Sequence, residues 1–278
     1  MSAIQEADPR IAAPIQRSHR REFSDKLPRY AIVVGMHLAV LLIWQIAASS
    51  GAVPAFILPS PMATLMTLVE PRYQWLSNSW VTAVEIFVGY ALAVAFGVVV
   101  ALLFSWFRFL QMALFPLFVT FSLVPKVALG PLLVIWLGYG ITTNIIFAFI
   151  LSFFPILITT ARGLREVEPD LLDLVRSLKG SRTQIFLKIQ LPGALPYIFS
   201  AMKVGAVLAV AGAIVGEFVA SSQGLGYLMI QVQGQLDAAG MFMAVILLTL
   251  LGVLLYALVL LLERIFVVKD ARLDGNSP

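Results

Sequence analysis

Residues 81–107 read VTAVEIFVGYALAVAFGVVVALLFSWF, 27 positions with a single charge, Glu85. A helix needs about 20 apolar residues to cross the hydrocarbon core of a bilayer. With no water there to bond, the backbone must satisfy its own hydrogen bonds. Four further stretches of this kind run from Tyr30 to Ala48, Ile141 to Ala161, Gly193 to Ala220 and Met241 to Val268. The stretch from Phe109 to Tyr139 is longer and is interrupted by Pro116, Pro125, Gly130 and Pro131. Each of these removes or weakens a helix hydrogen bond, so the stretch counts as one span with a broken or re-entrant first part. The expected fold is an all-α membrane protein of about six transmembrane helices.

Composition agrees. The chain of 278 residues is 60% hydrophobic and only 12% charged, with a mean hydropathy of +0.94, whereas soluble proteins carry about 25% charged residues. There is no cysteine, which excludes disulfide frameworks, cysteine metal sites and cysteine nucleophiles. The two histidines, His19 and His37, lack the spacing that metal sites need. Residues 1–29 carry Arg10, Arg17, Arg20, Arg21, Lys26 and Arg29 and no apolar face, and read as a disordered basic tail. No small-residue cleavage site follows Tyr30 to Ala48 promptly, so that run reads as a retained first span rather than a signal peptide.

Lys and Arg are retained on the cytoplasmic side of a membrane. With six crossings and the N-terminus inside, the inner segments hold the tail basics, Arg108, then Arg162, Arg165, Arg176, Lys179, Arg182 and Lys188, and finally Arg264, Lys269 and Arg272. The outer segments hold Arg72 and little else. Five or seven crossings would strand one basic cluster outside. The expected organisation is a cytoplasmic tail over 1–29, a transmembrane domain over 30–268 and a second cytoplasmic tail over 269–278. The same asymmetry accounts for a pI near 9.5 without a nucleic-acid partner. Of the outer segments, one contains Ser60 before Pro61, a cap and first position for a short helix reaching about Glu70. The other, Ser221 to Gly240, is rich in Ser, Gln and Gly and reads as a loop.

The inner segment from Arg162 to Pro192 is too long for a simple connection and is patterned as helix. Pro169 suits a helix start, and Leu171, Leu174, Val175 and Leu178 follow at i, i+3, i+4 and i+7 as one apolar stripe. Gly180 breaks the stripe. Ser181 and Gln184 then form a capping box that starts a second helix, carrying Ile185, Phe186 and Ile189 and ending near Pro192. Such an amphipathic pair can lie in lipid headgroups or fill a protein groove.

The run from Asp173 through Leu174, Val175, Leu178, Gly180 and Ser181, followed by Ile189-Gln190-Leu191-Pro192, resembles the EAA loop of ABC importer permeases. It departs from that pattern in Asp173 for glutamate, in Leu174 and Val175 for the two alanines, and in a glycine one position later. From about Leu58 to Lys269 the chain resembles the nitrate, sulfonate and taurine branch of that family, through Leu58-Pro59-Ser60-Pro61, Leu129-Gly130-Pro131-Leu132-Leu133 with Trp136-Leu137-Gly138, Phe153-Phe154-Pro155-Ile156 and Ser222-Gln223-Gly224-Leu225-Gly226-Tyr227.

The resemblance implies a type I importer permease in a bacterial inner membrane. Its cytoplasmic coupling-helix hairpin, with Asp173, Leu174, Val175, Leu178, Gly180, Ser181, Gln184, Ile189, Leu191 and Pro192, would dock on an ATP-binding cassette subunit. ATP and Mg would be held by that subunit, an extracytoplasmic solute-binding protein would deliver the solute, and the solute would be small and anionic, of the sulfonate, nitrate or taurine kind. Six spans provide few helices for a whole path, so two copies side by side are expected.

No phosphate-binding loop occurs in the sequence: Gly180-Ser181-Arg182-Thr183 lacks the second glycine and the lysine. The chain is therefore expected to hydrolyse no ATP itself. Charges inside spans point to function by default. Lys126, beside Pro125 at the broken helix, and Glu217, deep in the fifth apolar stretch, are each compatible with lining a path or with capping backbone locally. Glu85 and Lys203 lie near predicted span ends, where they can snorkel to the interface. The competing function, an ion-gradient-driven secondary transporter, would show internal repeats and paired broken helices, and a membrane enzyme would need a cluster of His, Asp or Glu on facing helices. The sequence offers neither.

Overall fold

The computed structural model describes residues 18–166, 173–175 and 177–267, and the chain divides into two units, residues 1–63 and 64–278. In the first unit, α1 (Ser18–Ser49) contains an apolar window, Ala31–Ser49, long enough to span a bilayer. Its aliphatic side chains, Leu38 and Ile43 among them, are exposed, as a lipid-facing helix requires. The Trp44 indole donates to the Pro59 carbonyl at 2.9 Å, and Ser60 Oγ accepts from the Ala63 N–H at 3.1 Å. That bond is the expected cap of α2 (Pro61–Met66), after which a 3-10 turn, Thr67–Val69, follows.

The N-terminal reading needs one correction. Helix α1 begins at Ser18, so residues 18–29 are helical and not a disordered tail. Once an apolar span has nucleated a helix, extending it through good helix formers such as Arg, Glu and Lys costs little. The rest of that tail and residues 268–278 lie outside the described residues.

The second unit is built on α3 (Trp75–Trp106), α6 (Ile141–Gly163) and α8 (Leu191–Ala220), with α6 packed on each of the other two more extensively than any other elements pack. Close approach is set by small residues, the usual device where lipid supplies no hydrophobic drive. Ala148 of α6 sits between two glycines: a Cβ at Gly89 of α3 would lie 2.6 Å from the Ala148 Cβ, and one at Gly212 of α8 would lie 2.7 Å from its Cα. Between α3 and α6 run α4 (Arg108–Ser122), a 3-10 turn at Lys126–Leu129 and α5 (Gly130–Leu137). The two halves are bent by 87° at the break around Pro125, the broken span expected from its prolines. With this pair counted once, the described residues provide six candidate spans.

Helix α10 (Ala238–Phe266) packs on α8. Its first turn is capped by Asp237, which accepts from the Gly240 N–H at 3.0 Å and from the Tyr73 hydroxyl at 2.6 Å. Arg72 pairs with both Asp237, at 3.2 Å, and Glu70, at 2.7 Å. Farther along α10, Glu263 meets Lys203 Nζ of α8 at 2.9 Å, with side chains 2% and 11% exposed.

Lys203 therefore does not snorkel. Its ammonium is buried against Glu263 instead of reaching outward. Removing one partner of a buried pair strands the other charge, whereas removing both is far milder. Lys203→Met or Glu263→Gln alone is expected to cost about 3–5 kcal/mol, and the double variant Lys203→Met/Glu263→Met to regain most of it, as read by thermal unfolding in detergent.

Candidate functional site

The exposed bend between α6 and α8 is the first candidate. Leu178 N–H donates to the Leu174 carbonyl at 3.1 Å, and Ser177 Oγ to the Asp173 carbonyl at 2.9 Å, so the segment is helical up to its break. Lys179 then takes φ +57 and the Gly180 N–H closes on the Val175 carbonyl at 2.9 Å, a left-handed C-terminal cap. Leu174 and Leu178 are 58% and 73% exposed, and Val175 is half-buried. Pro169 and Leu171, which start the stripe in the sequence, lie outside the described residues.

The capping box forms as its residues require. Gln184 N–H donates to Ser181 Oγ at 3.2 Å, and Ser181 N–H to Gln184 Oε1 at 2.8 Å, opening α7 (Arg182–Ile185). The second helix does not end near Pro192, contrary to the pattern in the sequence. It widens into a π turn, Phe186–Gln190, in which the Leu191 N–H reaches the Phe186 carbonyl, and continues as α8. Proline clashes with the carbonyl four residues earlier and lacks a donor. A wider turn just before Pro192 accommodates both, so Pro192 becomes a first-turn residue of α8. Ile189 and Leu191 are half-buried at this junction and Pro192 is exposed.

The bend is also anchored sideways. The Arg182 guanidinium lies 5.2 Å over the Trp106 ring and donates to the Trp106 carbonyl. Phe186 meets the same indole edge-on at 5.4 Å. Neither Arg182 nor Trp106 stands out in the sequence, because their partnership joins positions 76 residues apart.

Two membrane charges form the second candidate, and they part company. Lys126 lines a cleft of 540 Å³ with Ser122, Phe154 and Thr159, and among the described residues no carboxylate lies on its walls. Its ammonium donates to the Ser122 carbonyl and sits 5.2 Å over the Phe154 ring. Glu217, by contrast, is sealed in the protein at 1% exposure. Its Oε1 accepts from Thr82 Oγ1 at 2.5 Å, and its Oε2 accepts from the Gly226 N–H and, at 3.3 Å, from the Tyr227 N–H. These are the free donors of α9 (Leu225–Gly234), and an anion is favoured at that helix end. Glu85, expected to snorkel, is fully buried beside this cluster, with Oε1 accepting from Asn144 Nδ2 at 2.8 Å.

Residues 93–267 match the sequence profile of the family described as binding-protein-dependent transport system inner membrane component. The chain belongs to this family. It is 36% identical to a "probable ABC transporter permease protein" of Haemophilus influenzae, over 83% of this chain and 93% of that one. It is 34% identical to the riboflavin transport system permease protein RibX of Chloroflexus aurantiacus, over 84% and 88% of the two chains. An inward-facing structure of the MetNI methionine ABC transporter shares the fold, with a TM-score of 0.60 at 22% identity, covering 72% of this chain and 99% of that one.

In this permease the segment 221–240, read in the sequence as a loop, is mostly helix. The periodic Leu225, Leu228 and Val232, all buried, signalled α9; the Ser, Gln and Gly around them masked it. Its cap comes from Glu217 in the preceding span rather than from a neighbouring Ser or Asp. Gly224 has φ +107, and a Cβ there would lie 2.3 Å from Glu217 Oε1. Gly224→Ala is expected to lose about 1–3 kcal/mol from backbone strain alone and to dislodge the start of α9, seen as faster proteolysis within 221–235 than in the parent protein.

Proposed function

We propose that this ABC permease imports a small anionic solute, and that the bend at 173–192 receives the stroke of a separate ATPase subunit on the cytoplasmic side. The observation that carries the reading is the joining of an uncovered apolar stripe to a span: Leu174 and Leu178 are exposed, and the helix after the bend runs without a stop into α8. A groove on a partner that buries the two leucines would thereby hold the end of a lever. Asp173, Val175 and Gly180 shape the first arm, Ser181 and Gln184 start the second, and Ile189, Leu191 and Pro192 join it to the membrane.

Charge placement supports the orientation. Trp106 contacts Phe186, and Phe199 stacks on Phe266 at 6.3 Å, so the bend, the end of α3 and the end of α10 share one side. That side carries Arg108, Arg182, Lys188 and Arg264, the pattern of a cytoplasmic face. Lys126, facing a cleft free of carboxylates, supports an anion as cargo; the RibX relative makes an organic solute the natural choice. ATP and Mg belong to the partner ATPase in this reading. Two copies of the permease would enclose the path, and an extracytoplasmic binding protein would deliver the solute. Glu217 is assigned to holding α9, not to the path.

Leu178→Asp would place a charge in the partner's apolar groove. It is expected to weaken co-purification of the ATPase by about thirtyfold or more while membrane insertion stays normal; undiminished co-purification would exclude the bend as the docking surface. Lys126→Met is expected to slow import of the anion by roughly tenfold with the ATPase still bound, measured by uptake of labelled solute into vesicles.

A further inference from the structure

The two buried glutamates have very different surroundings. Both oxygens of Glu217 are met by donors from Thr82, Gly226 and Tyr227. Among the described residues Glu85 is met at Oε1 alone, by Asn144, and its buried Oε2 meets no donor. The two carboxyls are neighbours: Thr82, which holds Glu217, lies one turn before Glu85 on α3, and Asn144, which holds Glu85, lies against Gly216, the residue before Glu217. Two carboxylate oxygens are acceptors only and cannot share a bond unless one of them carries hydrogen. Among the described residues the donors that reach the two carboxyls are Thr82 of α3, Asn144 of α6 and the Gly226 and Tyr227 amides of α9, and none is a cation. Like charges buried side by side with no cation between them disfavour each other's ionisation.

We propose that Glu85 and Glu217 form a proton-binding site, with one proton resident on Glu85 Oε2 and donated to the Glu217 carboxylate. The proton turns the donorless oxygen of Glu85 into a donor and leaves a single negative charge, the one that holds the N-terminus of α9. It also completes a chain from Asn144 of α6 through Glu85 of α3 and Glu217 of α8 to α9. Four elements are thus fastened at one point by one exchangeable hydrogen.

The site is asymmetric, and substitution reads the asymmetry. A glutamine at 85 keeps a donor toward Glu217, so Glu85→Gln in the full-length permease is expected to keep its unfolding temperature within about 2 °C of the parent. A glutamine at 217 turns an amide donor toward backbone N–H groups, so Glu217→Gln is expected to lower it by about 5 °C or more. Isotope-edited infrared spectra of protein labelled at the glutamate carboxyl are expected to show the carbonyl stretch of a protonated acid, lost in Glu85→Gln. Destabilisation or misfolding of Glu85→Gln to the level of Glu217→Gln would overturn the proposal. So would an acid band that is absent from the parent or survives in Glu85→Gln. A stabilisation by sodium or potassium that disappears in Glu85→Gln would instead assign a bound cation and overturn the proton.

Discussion

A buried carboxylate in a membrane protein has no water to turn to, so the chain itself must supply every donor it needs. Glu217 imposes that demand at the meeting point of α3, α8 and α9. Thr82 must be within reach of it, α9 must begin where its amides face it, and Gly224 and Gly226 must lack side chains for the carboxyl to fit. The same constraint explains Asn144, whose Oδ1 would lie 2.8 Å from a Cβ at Gly216 and whose amide holds Glu85. The central helices come close through small residues, and the few polar groups between them fix their register.

The opposite side of the second unit follows a different logic. Aromatic contacts such as Trp106 with Phe186 and Phe199 with Phe266 hold the helix ends together, and the ion pair of Lys203 and Glu263 ties α8 to α10. A force applied at the bend would therefore reach α3 through Arg182 and Phe186, α8 by direct continuity and α10 through Lys203. In the proposed coupling the load would be spread over three spans.

What the sequence discloses depends on how locally each feature is encoded. Spans are legible because hydropathy accumulates over one stretch, and the Ser181 and Gln184 capping box is legible because both partners lie within four residues. Helix α9 is not read, although Leu225, Leu228 and Val232 have helical spacing, because its cap is supplied by another helix. Glu85 and Lys203 are misplaced for a related reason: the partners that keep them inside, Asn144 of α6 and Glu263 of α10, lie on other helices. The proton site at Glu85 is invisible in sequence, since it requires two carboxylates 132 positions apart to meet.

The π turn at Phe186–Gln190 has a rotational meaning. One residue more than an α-helix would use there offsets everything upstream by about 100° around the helix axis. The azimuth at which α7 and the bend before it leave the span thus depends on a single inserted position. A homologue with one residue fewer before its Leu-Pro would present its stripe toward a different quarter of the compass, and would need a partner built to meet it there.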